Sequence, residues 1–137
     1  MIKPQGIDHI VLRTVRYQEL IDFYCNVLGC KLELSKDSIG LTHLRAGNAL
    51  IDIVDVNGKL GKQGGGAPAE LSNNVDHFCL QIESRGEQEL QQYLKSYDVL
   101  YGEFQDRYGA QGMGRSLYIK DLVGNNLELR FMVQKSR

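Results

Sequence analysis

At 137 residues with 42% apolar side chains, the chain has the length of one ordinary domain and enough apolar mass to bury a core without staples. Sixteen Lys and Arg against 17 Asp and Glu leave a net charge of −1, which excludes the one-sided positive excess of a nucleic-acid binder. No run approaches the roughly 18 apolar residues of a membrane span, and Met1-Ile2-Lys3-Pro4-Gln5-Gly6 lacks a signal-peptide core, so no membrane partner and a cytoplasmic location are expected.

In chain order, the first expected strand is Ile7-Asp8-His9-Ile10-Val11-Leu12. A helix is expected over Tyr17 to Leu28, with Leu20, Ile21, Phe23, Tyr24, Val27 and Leu28 at helical spacing and Gly29 as its C-cap. Cys25 and Cys30 flank its end. Together with Cys79 they form neither a Cys-x-x-Cys pair nor a zinc-finger spacing, and read as reduced, mostly buried small hydrophobes. Strands follow at Lys31–Ser35, Leu41–Arg45 and Ala49–Val56, with a turn signal at Ala46-Gly47-Asn48. Gly58 to Asn74 holds five of the 15 glycines and one of the two prolines, and reads as a linker.

Then the pattern begins again. Val75-Asp76-His77-Phe78-Cys79-Leu80 repeats the first strand, with His77 standing 68 positions after His9. A helix over Glu87 to Tyr97 carries Leu90, Tyr93, Leu94 and Tyr97 on one face. Strands are expected at Val99–Phe104, Ser116–Lys120 and Asn126–Val133, with a turn at Val123-Gly124-Asn125. Gly109 to Gly114 reads as a flexible run, a candidate lid. The order strand, helix, strand, strand, strand thus occurs twice, in modules of about 5–57 and 75–134. The fold class is α+β, with helices covering one face of each sheet.

Side chains alternate across a strand, which separates an apolar stripe from the residues opposite it. Ile51 and Ile53 oppose Asp52; Leu127, Leu129 and Phe131 oppose Glu128 and Arg130. His9 and His77 lie opposite the stripes of their own strands. A single histidine or carboxylate in a strand is ordinary; the correspondence between modules singles these four out. Two imidazoles and two carboxylates suit one divalent ion such as Zn²⁺, Ni²⁺, Co²⁺, Mn²⁺ or Fe²⁺.

The chain resembles the glyoxalase/bleomycin-resistance/dioxygenase superfamily, also called vicinal oxygen chelate proteins, over nearly its whole length. The resemblance rests on Asp8-His9-Ile10-Val11-Leu12, on Phe23-Tyr24-Cys25-Asn26-Val27-Leu28-Gly29, on Asp76-His77, and on Ser116-Leu117-Tyr118-Ile119-Lys120-Asp121 leading to Gly124-Asn125-Asn126-Leu127-Glu128-Leu129. It implies paired βαβββ modules forming a U-shaped sheet cleft, often completed in a homodimer. It also implies a divalent metal held by His9, His77 and Glu128, with Asp52 at the fourth position, where Glu is common. Arg13 stands where glyoxalase I enzymes place an arginine for a carboxylate of glutathione.

A metal-dependent lyase or isomerase acting on a small oxygen-chelating substrate follows, with Glu128 or Asp52 as base. Glu128, the longer side chain, is the better placed. Tyr118 and Ser116 share a face and offer hydroxyl groups to a bound oxyanion; His43 and Arg45 share a face toward the same cleft. Two other functions compete: a fosfomycin-resistance-type transferase adding a thiol to an epoxide, and a metal-free bleomycin-type binding protein.

Overall fold

Each half of the chain folds through one parallel strand pair, closed by a helical crossover, to which two antiparallel strands are added. The computed structural model describes residues 1–69 and 72–133. The first compact unit is Met1–Asn74, and the second begins at Val75. The first contains β1 (His9–Thr14), α1 (Tyr17–Asn26), β2 (Lys31–Lys36), β3 (Leu41–Ala46) and β4 (Ala49–Asp55). The second contains β5 (Phe78–Ile82), α2 (Glu87–Ser96), β6 (Gln105–Gly109), β7 (Gly112–Lys120) and β8 (Asn126–Phe131). Strand order is β1-β4-β3-β2 in one sheet and β5-β8-β7-β6 in the other, so the two modules share one topology. In each, the first and last strands pair in parallel and the remaining pairs are antiparallel. The fold is α+β, two βαβββ modules.

Each sheet buries the stripe that alternation assigns to it. In the first unit Leu12, Leu44, Ile51 and Ile53 are buried, with Leu20 and Tyr24 of α1, which lies against β3 and β4. In the second Leu117, Ile119, Leu127 and Leu129 are buried, as are Leu90 and Leu94 of α2. Burying one such Leu or Ile side chain contributes about 1.5–3 kcal/mol. The Arg115 guanidinium holds Glu87 in two bonds of 2.9 and 2.8 Å, tying α2 to β7.

Both helices stop through a left-handed residue. Gly29 takes φ +76° and the Cys30 N–H turns back to the Tyr24 carbonyl at 2.9 Å. In the second module Asp98 takes that role at φ +58°. Its N–H bonds the Lys95 carbonyl and the Val99 N–H bonds the Leu94 carbonyl, each at 3.0 Å, which is the Schellman pattern. Aspartate tolerates this backbone better than most side chains.

The structure moves one strand and turns the expected flexible run into a hairpin. Val99–Phe104 is not a strand but a connection touching the sheet through the Tyr101–Ile119 bridge; the edge strand is β6, which begins at Gln105. The apolar Val99-Leu100-Tyr101 run imitates a strand, yet Leu100 is 73% exposed and only Val99 is buried. Gly109 to Gly114 is the tight β6–β7 hairpin, with Gly109 paired to Gly112 around Ala110-Gln111. β1 and β5 begin later than expected, leaving Ile7 exposed and His77 just outside its strand. Of the three cysteines, only Cys30 is buried.

The glycine-rich segment is anchored to the first module. Gly61 lies so close that a Cβ there would stand 1.9 Å from the Asp55 carbonyl oxygen. Residues 70 and 71 of this segment, and the expected end of the second module at 134, lie outside the described residues. Among the described residues no helix is long and apolar enough to cross a membrane.

A Cβ at Gly29 would meet no atom within 4 Å, so Gly29→Ala tests backbone conformation alone. It is expected to cost about 1 kcal/mol in urea unfolding, from the left-handed φ; an unchanged midpoint would show that this stop contributes nothing.

Candidate functional site

The parallel register decides which polar side chains meet. Val11 pairs with Asp52 in the first sheet and Cys79 with Glu128 in the second. The histidine stands two residues before Val11 or Cys79, on the same face as the carboxylate. His9 Nε2 lies 4.0 Å from Asp52 Oδ2, and His77 Nε2 lies 3.9 Å from Glu128 Oε1. The two pairs are the same construction made twice. Asp52 and Glu128 are 4% and 7% exposed, whereas the histidines are more open.

Each imidazole is oriented from behind by the preceding residue. His9 Nδ1 bonds Asp8 Oδ1 at 2.7 Å and His77 Nδ1 bonds Asp76 Oδ2 at 2.6 Å. A carboxylate only accepts, so Nδ1 carries the hydrogen and Nε2 is left with its lone pair toward Asp52 or Glu128. The Asp8 bond, helped by the Asp52 charge, holds the His9 pKa above its usual 6.5.

A second ring completes each face at an equivalent register. His43 pairs with Asp52 across β3–β4, and Tyr118 pairs with Glu128 across β7–β8. His43 Nδ1 donates to Asp52 Oδ1 at 2.8 Å. Tyr118 packs edge-on to His77, with ring centroids 5.3 Å apart. Partial burial and the Glu128 charge raise the Tyr118 pKa, with Arg107 opposing, so its hydroxyl stays protonated and able to donate.

The expected ligand-binding residues are mostly engaged. Arg13 Nη2 bonds the Gly61 and Gly65 carbonyls at 3.0 and 2.8 Å, and Nη1 bonds Gly66 at 3.0 Å. Gly64 lies against the guanidinium, where a Cβ would come within 2.6 Å of Nε. Arg45 forms an ion pair with Glu33. Ser116 is fully buried, and its hydroxyl accepts from Arg107 Nη1 at 3.1 Å. Cys79, beside Glu128, has its thiol pushed up to about 11 by desolvation and by that carboxylate, so it is no nucleophile at neutral pH.

Arg107 is the residue the sequence reading missed. Its guanidinium carbon lies 4.7 Å from the Tyr118 ring centroid. Position 107 pairs with Gly114, which puts it on the face of Ser116 and Tyr118; misplacing the edge strand hid that alignment.

The donor set fits a divalent cation. Two ligands each about 2.1 Å from one ion stand roughly 3–3.5 Å apart, so separations of 4.0 and 3.9 Å are within about 1 Å of a shared ion. The acidic partner on each Nδ1 is the usual outer support of a ligating imidazole. As the side chains stand, no group of three or more His, Cys, Asp or Glu among the described residues is arranged to hold a metal.

The tautomer assignment is directly measurable. Imidazole ¹⁵N spectra are expected to show Nδ1–H for both His9 and His77, and Asp76→Ala to shift His77 toward the ordinary Nε2–H form. An unchanged His77 spectrum would mean that Asp76 does not orient the ring.

The family model for the glyoxalase/bleomycin resistance protein/dioxygenase superfamily matches residues 6–129. No curated protein matches the chain in sequence. Among solved structures, an integron cassette protein from the V. Pseudocholerae mobile metagenome superposes with a TM-score of 0.79 at 22% identity, covering 98% of this chain and 99% of that one. A virulence protein from Salmonella typhimurium gives 0.77 at 22% identity, with 96% and 100% covered. A lactoylglutathione lyase from Agrobacterium tumefaciens gives 0.66 at 20% identity, with 93% and 94% covered. At these identities the structural likeness speaks for the fold alone. With a family model matched over nearly its whole length and two βαβββ modules of identical strand order, the chain belongs to the glyoxalase/bleomycin resistance protein/dioxygenase superfamily.

Proposed function

We propose that the chain is a metal-dependent lyase or isomerase of the glyoxalase type, acting on a small molecule with two neighbouring oxygens. The observation that supports this most is the repeated pair, His9 with Asp52 and His77 with Glu128, each imidazole oriented through Nδ1 by an acidic neighbour. A protein that merely sequesters an apolar compound has no use for two matched and outwardly supported imidazoles.

In this reading His9 and Asp52 of the first module, and His77 and Glu128 of the second, are the residues that would ligate a divalent cation of the Zn²⁺, Ni²⁺, Co²⁺, Mn²⁺ or Fe²⁺ class. When bound, such an ion would supply polarisation of a substrate carbonyl and stabilisation of negative charge there. The chain's own residues manage the proton. Glu128, reaching further than Asp52, takes a proton from the carbon beside the carbonyl and returns it to the adjacent one. Tyr118 donates its hydroxyl hydrogen to oxygen as charge builds. His43 keeps Asp52 in place through its 2.8 Å bond.

Protein purified without chelator is expected to hold one divalent ion per chain, measured by elemental analysis. His77→Ala is expected to lose metal and activity together, by more than the roughly 10–100-fold that loss of an outer partner costs. Asp52→Ala is expected to weaken metal binding less than Glu128→Ala. Full occupancy in His77→Ala would overturn the ligand assignment. Turnover of a hemithioacetal, against thiol addition to an epoxide, separates the isomerase from the transferase.

A further inference from the structure

The face of the second sheet that carries Glu128 also carries two guanidinium groups. Arg130 is 3% exposed and uses both terminal nitrogens: its Nη1 donates to the Arg107 carbonyl at 2.9 Å, its Nη2 donates to the Gly112 carbonyl, and it fills the space that Cβ atoms at Gly109 and Gly114 would occupy. Arg107 is different. Only Nη1 is used, donating to both the Ser116 carbonyl at 2.5 Å and the Ser116 hydroxyl at 3.1 Å. Those two bonds hold the guanidinium over the Tyr118 ring. Among the described residues, neither Nε nor Nη2 has a partner.

The other candidate arginines have their terminal nitrogens engaged, although the buried Arg13 Nε has no partner among the described residues. Arg45 pairs with Glu33, Arg115 with Glu87 and Asp106, and Arg13 sits among carbonyls. Arg107 has no carboxylate, although it is half-buried beside a ring that touches His77. The edge formed by Nε and Nη2 is the flat two-donor fork that accepts a carboxylate or similar oxyanion in two parallel bonds.

We infer that Arg107 is the anion-recognition residue of this protein, taking an oxyanion group of a small substrate on its free Nε–Nη2 edge, one tyrosine ring away from the His77–Glu128 pair. The substrate class is therefore a small acid whose neighbouring oxygens are presented to that pair. Only the chemistry at His77 and Glu128 rests on the function proposed above; the anion contact stands independently.

The test is titration of the full chain with inorganic phosphate, followed by NMR at arginine Nε–H and the tyrosine rings. Phosphate is expected to shift Arg107 and Tyr118, and R107Q to weaken its binding at least tenfold. If R107Q loses the fold, R107K decides: it retains the charge without the fork, and at least a threefold loss is expected. Equal phosphate affinity in the folded variant and the parent chain, or shifts confined to other residues, would overturn the inference. Metal uptake is measured in parallel. Arg107-dependent phosphate binding in a chain that takes up no metal sinks the proposed chemistry and leaves this inference standing; metal uptake without it does the reverse.

Discussion

The parallel pairing of the first and last strands of each module is the constraint on which the candidate site depends. A one-residue slip between β1 and β4, or between β5 and β8, would turn Asp52 or Glu128 into the apolar layer and expose the leucines and isoleucines beside them. An unpaired carboxylate buried in that layer would cost several kcal/mol, on top of the lost apolar burial. The hydrophobic stripe therefore sets the polar face. Ile51 and Ile53, or Leu127 and Leu129, fix where the carboxylate points without touching it.

The polar faces are built alike but differ in the ring opposite the carboxylate. Opposite the carboxylate stands His43 in one module and Tyr118 in the other. An imidazole bonded to Asp52 leaves that carboxylate one fewer lone pair for anything else. A phenol beside Glu128 offers a donor that stays protonated at neutral pH. Two copies of one topology thus surround their carboxylates differently: Asp52 accepts from an imidazole, and Glu128 stands beside a phenol.

Much of this was legible before the fold was known. Asp8-His9 and Asp76-His77 announce the repeat, and alternation alone puts Asp52 and Glu128 opposite the stripe. What was not legible shares a physical cause. β6 is a polar edge strand, Gln-Asp-Arg-Tyr-Gly, held by pairing to β7 rather than by burial of its own side chains, so hydrophobic periodicity cannot find it. The nearby Val99-Leu100-Tyr101 run looks more like a strand than β6 does. Arg107 went unseen because its strand did. The role of the glycine-rich segment was hidden for a related reason: composition reports flexibility, whereas its contacts with Asp55 and Arg13 are tertiary.

Those contacts bear on which ligands the first module is able to recruit. Arg13 already donates to three backbone oxygens, and each hydrogen bond to a charged group is worth about 1.5–3 kcal/mol. Any acid that sought this guanidinium would have to exchange for those oxygens almost one for one, leaving little net affinity. The guanidinium thus acts as a fastener, clasping the glycine-rich segment to β1.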